Sequence, residues 1–165
     1  FGYAQAHLVN TVGVSLDIAM KTNILAILWY TLSTPLCGYV SDKIGAYKVM
    51  RASAVFCILL AFPIYLLFNF GSFWSALCAQ MIVGTLGAMF LGPLSAYLYS
   101  AFPTAVRYTG ISFNFSLGLA TIGGCCPIAS ATLIHLTGNK LSGAAYLIMA
   151  ALIGFISILY IKRNI

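Results

Sequence analysis

An all-α, polytopic membrane protein is the fold class this sequence predicts, on three observations. Of 165 residues, 62% are hydrophobic, while only eight are Lys or Arg and two are Asp or Glu. Those few charges sit at breaks between apolar runs, where they avoid the cost of entering hydrocarbon. The runs themselves reach the roughly 20 residues that a helix needs to cross a bilayer. A soluble domain of this length carries about a quarter charged residues.

The elements follow in order. Residues 1–10 (FGYAQAHLVN) are apolar but too short to cross, and read as the last turns of a further helix cut short at Phe1. No basic n-region with a small-residue cleavage site is visible. The first break carries Gly13, Asp17 and Lys21, and a span over 16–40 is rich in Ile, Leu and the pair Trp29-Tyr30. A short basic break, SDKIGAYKVMR, leads into a span over 50–70. Its Pro63 requires neighbours that satisfy the freed backbone. After the turn NFGS, the span over 73–100 carries Gly84, Ala88 and Gly92, a small residue at every fourth position. Such a ridge lets another helix approach closely. The span over 108–136 contains Gly118, Gly123-Gly124 and Pro127, and the turn TGNKLSG precedes the last span, 143–161. All connections are short, which predicts neighbouring helices in one bundle and no extramembrane domain.

The net charge of +6 does not predict a nucleic-acid partner, because of where it lies. If the spans alternate, Lys43, Lys48, Arg51, Arg107, Lys162 and Arg163 share one side, and only Lys21 and Lys140 take the other. By the positive-inside rule, loops 41–50 and 101–107 and the C-terminus are cytoplasmic, and 69–72 and 137–143 are external. The reading is a multi-pass protein of the cell (inner) membrane. Cys37, Cys57, Cys78, Cys125 and Cys126 fall inside apolar runs without metal-ligand spacing, and read as buried thiols. No metal or cofactor is expected. Two acids and two histidines, far apart in sequence, supply no catalytic cluster, so the chain does not read as an enzyme.

Two motifs on the basic side carry more information. The first is Gly38-x-x-x-Asp42-Lys43-x-Gly45. Gly38 lets backbones pack at the membrane edge, and Gly45 permits a tight reversal. Asp42, the only acid on this side, suits the positive end of a helix dipole. Lys43 can anchor to anionic headgroups. The second is Phe102-Pro103-Thr104-x-x-Arg107, where Pro103 suits a first helical turn and Arg107 lies at the membrane edge.

In this order and at this spacing the two motifs resemble the major facilitator superfamily, whose loop between the second and third helices of each half carries G-x-x-x-D-[RK]-x-G-[RK]-[RK]. Ala46 and Tyr47 stand where two cations are usual. The stretch from Phe102 to Gly110, then Gly123-Gly124 and Pro127, is similar to the metabolite:proton symporter branch, nearest its proline/betaine type. The resemblance implies the C-terminal half of a 12-helix carrier, with 1–10 ending helix 7 and the five spans forming helices 8 to 12. It makes Gly38, Asp42, Lys43 and Gly45 the gating motif between helices 8 and 9. Phe102, Pro103, Thr104 and Arg107 stand at the start of helix 11. It implies proton-coupled secondary transport of a small polar solute, proline, betaine or a carboxylate. Alternating access then needs an N-terminal half and the lipid bilayer as partners.

Polar and aromatic residues inside spans are costly unless they face protein or water. Tyr30, Thr34, Tyr97, Asn114 and Thr121 are therefore the candidates to line a solute path, neutral and aromatic in character. Tyr3 and His7 lie one turn apart at the end of helix 7, and Gln80 is the other notable polar group. No carboxylate, Lys or Arg lies mid-span, so a proton-binding group is expected in the other half. The alternative reading is an inactive remnant or split-gene structural half with no transport of its own.

Overall fold

Three glycines with positive φ divide the chain where its apolar runs end, Gly13 at 83°, Gly45 at 102° and Gly71 at 64°. The computed structural model describes residues 1–101, 103–104, 106–125, 128–129, 132 and 143–164. Among them are six α-helices and no strand. Helix α1 spans Gly2–His7 and widens into a π-turn over Leu8–Val12 that Gly13 stops. Helix α2 is Leu16–Ile44, α3 is Ala46–Asn69 and α4 is Phe73–Ala101. Helix α5 is Arg107–Gly118, with a π-turn to Gly123, and α6 is Gly143–Asn164.

Three of these helices are long and apolar enough to cross a membrane, over Leu16–Ile44, Ala46–Asn69 and Phe73–Tyr99. The apolar part of α6, Ala144–Tyr160, is shorter. Helix α2 begins with Asp17 in its first turn, where the dipole favours an anion, and Asp17 accepts from Lys21 at 2.7 Å. The basic segment 41–51, expected as a loop, is nearly all helical. Gly45 alone separates α2 from α3, because its positive φ turns the chain in one residue while its N–H still donates to the Ser41 carbonyl at 2.8 Å. Lys43 ends up in the last turn of α2, where a cation complements the dipole.

Helix α4 organises the bundle. The ridge Gly84-Ala88-Gly92 lies against α2. A Cβ on Gly84 would stand 3.7 Å from the Ala26 carbonyl and one on Gly92 3.0 Å from the Thr34 carbonyl. Gln80 reaches Thr22, and the Trp29 indole N–H donates to the Thr85 hydroxyl at 2.9 Å. Residue numbers rise together along this seam, so α2 and α4 run parallel in a fixed register. Helix α3 runs antiparallel on another side of α4. Ser53 donates to the Leu86 carbonyl at 2.7 Å, and Tyr47 and Met50 lie beside Tyr97. Helix α6 closes on α3 and α4, with Phe90 3.8 Å from the Cβ place of Gly154 and Ile158 beside Tyr97. It therefore runs parallel to α4. The core gathers where α1 packs over the bundle, around Leu8, Ala19, Ile64, Phe68, Ala76 and Leu86.

This topology brings the C-terminal ends of α2, α4 and α6 to one end of the bundle. Lys43, Lys48, Arg51, Arg107 and the positions of Lys162 and Arg163 belong to that end, and Asp17 and Lys21 to the opposite one.

Candidate functional site

The first motif sits where α2, α3 and α4 converge. Its Gly38 provides the backbone that α4 touches: a Cβ on Gly92 would meet the Gly38 nitrogen at 3.0 Å. The buried Ser41 hydroxyl donates to the Gly38 carbonyl at 2.7 Å, holding the last turns of α2 together. Lys43 lies over the Tyr39 ring, 4.6 Å from its centroid. Asp42 is exposed and, among the described residues, has no ion-pair partner. It occupies the last turn of its own helix, the end at which the dipole disfavours an anion.

The second motif opens α5. Pro103 and Thr104 are exposed, and the Pro103 carbonyl accepts from the Val106 N–H at 3.2 Å. Phe102 lies outside the described residues. The Arg107 guanidinium stacks on the Tyr99 ring, 3.9 Å from the centroid, tying the start of α5 to the end of α4. This cation–π contact uses the planar, weakly hydrated face of the guanidinium.

The five path candidates do not converge on one cavity. Tyr30 and Thr34 lie together on the α2–α4 seam. The Tyr30 ring is 3.6 Å from the Cβ place of Gly87 and 5.5 Å from the Phe1 ring. The Thr34 hydroxyl donates to the Tyr30 carbonyl at 2.8 Å. Tyr97 faces away from that seam, toward Tyr47, Met50 and Ile158. Asn114 and Thr121 are exposed on the α5 segment and bond back to it, to the carbonyls of Gly110 and Leu117 at 2.8 and 2.7 Å. No residue of α5 is buried.

A mostly apolar cavity that the spacing of residues did not disclose lies between α1, α3, α4 and α6. It holds about 190 Å³ and is lined by Tyr3, His7, Tyr65, Gln80 and Tyr146 among apolar neighbours. His7 and Gln80 are almost wholly buried. The His7 ring packs edge-on against Tyr65 at 5.4 Å and Phe68 at 6.0 Å. The one-turn spacing of Tyr3 and His7 was the visible signal. That Gln80, 73 positions further on, shares their cavity follows only from the helix packing.

Comparison with known proteins adds the chemistry that geometry leaves open. No protein-family model and no solved structure matches the chain. It is similar to the ectoine/proline transporter of Corynebacterium glutamicum, 23% identical over 162 residues, covering 98% of this chain and 32% of that protein. It is similar to the citrate-proton symporter of Klebsiella pneumoniae, 31% identical over 131 residues, covering 79% of this chain and 30% of that one. The alpha-ketoglutarate permease of Escherichia coli is 26% identical over 168 residues, covering 98% and 38%. The chain spans about a third of the length of the curated relatives it matches. These relatives are transporters and permeases, not enzymes, and they are major facilitator metabolite:proton symporters, the branch that the two motifs resemble.

Proposed function

We propose that this chain, a relative of the major facilitator metabolite:proton symporters, is the C-terminal six-helix half of a secondary carrier for a small polar metabolite or osmolyte. Its six helices correspond to helices 7 to 12, and its basic end faces the cytoplasm. The solute is of the proline/betaine or carboxylate type, and its movement is coupled to a proton. The observation that carries this reading is the contrast between α4 and α5. Helix α4 is packed between α2 and α3, whereas α5 buries nothing and α2 leaves Met20, Ile24, Leu28, Leu32 and Leu36 exposed. An unburied α2 and α5 are what one half of a two-bundle carrier presents to its partner.

In this reading Asn114 and Thr121 on the unburied α5 belong to the wall of the path, with Tyr30 and Thr34 at its edge, on the α2–α4 seam. Tyr97 stands apart from it. The wall is neutral, so the protonatable group and any cation that receives a carboxylate belong to the facing half. Asp42, disfavoured by its own helix dipole, docks at the positive end of a helix of that half and holds the cytoplasmic face shut. Arg107, preset by Tyr99, receives the corresponding acid.

The test is uptake into vesicles under an imposed proton gradient, with labelled proline, betaine or citrate. The chain is expressed alone and beside the N-terminal halves of the proline/betaine and citrate carriers. Uptake is expected only in the paired vesicles and only with the gradient. Saturable uptake by the chain alone refutes the half-carrier reading, and gradient-independent uptake refutes proton coupling.

A further inference from the structure

Two prolines stand at one height of the α2–α4 seam. Helix α2 contains Pro35 and α4 contains Pro93. The register makes them level. A Cβ on Gly92, the neighbour of Pro93, would stand 3.0 Å from the carbonyl oxygen of Thr34, the neighbour of Pro35, and 3.0 Å from the Gly38 nitrogen. A proline has no N–H, so the carbonyl four residues earlier loses its helical donor, and the ring crowds it. That carbonyl belongs to Thr31 in α2 and to Met89 in α4. Each helix is therefore weakened at the height where the other is.

Helix α2 adds two bonds of the kind that bend helices. The Thr31 hydroxyl donates to the Ile27 carbonyl at 2.9 Å, and the Thr34 hydroxyl to the Tyr30 carbonyl at 2.8 Å. Helix α4 has room to bend. Gly87, Phe90 and Leu91, just ahead of Pro93, line an open volume of about 380 Å³ toward α3 and α6. A close-packed interior resists such movement, and at this level packing is incomplete. Past the prolines the two ends are tied together again. The Ser41 hydroxyl donates to the Gly38 carbonyl at 2.7 Å, and Tyr99 carries the Arg107 guanidinium 3.9 Å from its ring centroid.

We propose that Pro35 and Pro93 form one paired hinge, about which the ends of α2 and α4, residues 36–44 and 94–101, swing together. The backbone contact of Gly92 with Thr34 and Gly38 lies at the pivot, so neither helix bends there without the other. Asp42 rides on the end of α2, and Arg107 rides on the end of α4 through Tyr99. The hinge makes these two charges move as one body relative to the helix portions before the prolines. The proposal concerns movement within this bundle and does not depend on whether the chain carries solute.

The test is amide hydrogen exchange of the chain in detergent micelles, read by mass spectrometry. The amides of 36–39 and 94–97 have their helical acceptors at 32–35 and 90–93, so they report opening at the hinge. Pro35→Ala returns a donor to the Thr31 carbonyl. It should slow exchange about fivefold over 36–39 and equally over 94–97, in the helix that was not altered, fivefold being what one neutral hydrogen bond supplies. Pro93→Ala should give the same pattern from the other side. Amides at 23–26 and 81–84, before the hinge, should be unchanged in both variants. Pro63→Ala in α3, off the seam, should leave both hinge segments unchanged. Slowing confined to the helix that carries the substitution shows two independent kinks and overturns the proposal. Equal slowing at 23–26 and 81–84 shows general stabilisation of the bundle and overturns it too, as does no slowing at all. If circular dichroism shows one proline variant to be unfolded, the other decides, because the reading is taken in the unaltered helix.

Discussion

Gly92 and Gly38 touch across the α2–α4 seam, yet they should respond oppositely to the same added methyl group. A Cβ on Gly92 lands 3.0 Å from the Gly38 nitrogen, 3.0 Å from the Thr34 carbonyl oxygen and 3.4 Å from the Cys37 carbonyl carbon. All three are backbone atoms that no rotamer change can move. Ordinary contact lies near 3.5–4.0 Å, so α2 and α4 must separate by about 0.5 Å. That separation loosens the whole row, Thr22–Gln80, Ala26–Gly84 and Trp29–Thr85, because the helices run in fixed register. Overpacking of this kind costs about 1–3 kcal/mol. A Cβ on Gly38 meets nothing within 4 Å. Gly38→Ala should therefore be neutral or gain up to about 1 kcal/mol from helix propensity. The assay is reversible unfolding of each variant in mixed micelles, followed by circular dichroism. Trp29 fluorescence reports on the seam through its bond to Thr85. Gly92→Ala as stable as the parent, or Gly38→Ala the less stable of the two, refutes this account of the seam.

Three further outcomes follow. Cysteines placed at positions 46 and 104 should react with a membrane-impermeant maleimide only from the cytoplasmic side, and one at 71 only from outside; labelling of 46 in intact cells reverses the orientation. Asp42→Asn in a paired carrier should insert normally but transport about tenfold more slowly, the shift produced by losing roughly 1.4 kcal/mol at a dipole end, and parental uptake counts against the docking role. Tyr99→Leu should remove the stacking on the Arg107 guanidinium and weaken the start of α5 by about 0.5–1 kcal/mol, read as faster amide exchange over 107–111 with exchange in α4 unchanged; equal exchange in both proteins shows that the stacking holds nothing.

Much of the architecture was legible because the bilayer makes apolar length and charge placement decisive. The Gly84-Ala88-Gly92 ridge announced a close helix partner, and α2 is that partner. What the sequence could not convey was which helix faces meet. Tyr97 and Tyr30 look alike as polar aromatics within spans, but they lie on different faces of the packed bundle. The segment 41–51 looked like a loop because its charges end the apolar run. Charges can lie on helical turns that project past hydrocarbon, so the loss of hydropathy marks the membrane boundary and not the helix boundary. Gly38 stood out by motif, whereas the position that cannot accept a side chain is Gly92. Which of two touching glycines has the free Cβ direction depends on helix rotation, to which a one-dimensional pattern is blind.

The division of α4 into two faces orders the remaining features. Toward α2 it presents small residues and polar bonds that fix register: Gln80 to Thr22 and Thr85 to Trp29. Toward α3 and α6 it presents Val83, Leu86, Phe90 and Leu91 around open volume. The first face is close-packed, so displacing α2 along α4 would break the backbone contacts at Gly92. The second has room for side chains to move. In the proposed carrier, α2 and α4 therefore move as one unit against the facing half, and the bundle adjusts at the α3–α6 side. Asp42, at the end of α2 and one residue past the buried Ser41, sits where that unit meets the cytoplasmic boundary. In that proposed carrier a charge placed there would act on the whole α2–α4 pair rather than on one loop, and a single carboxylate would so bias the closure of an entire face.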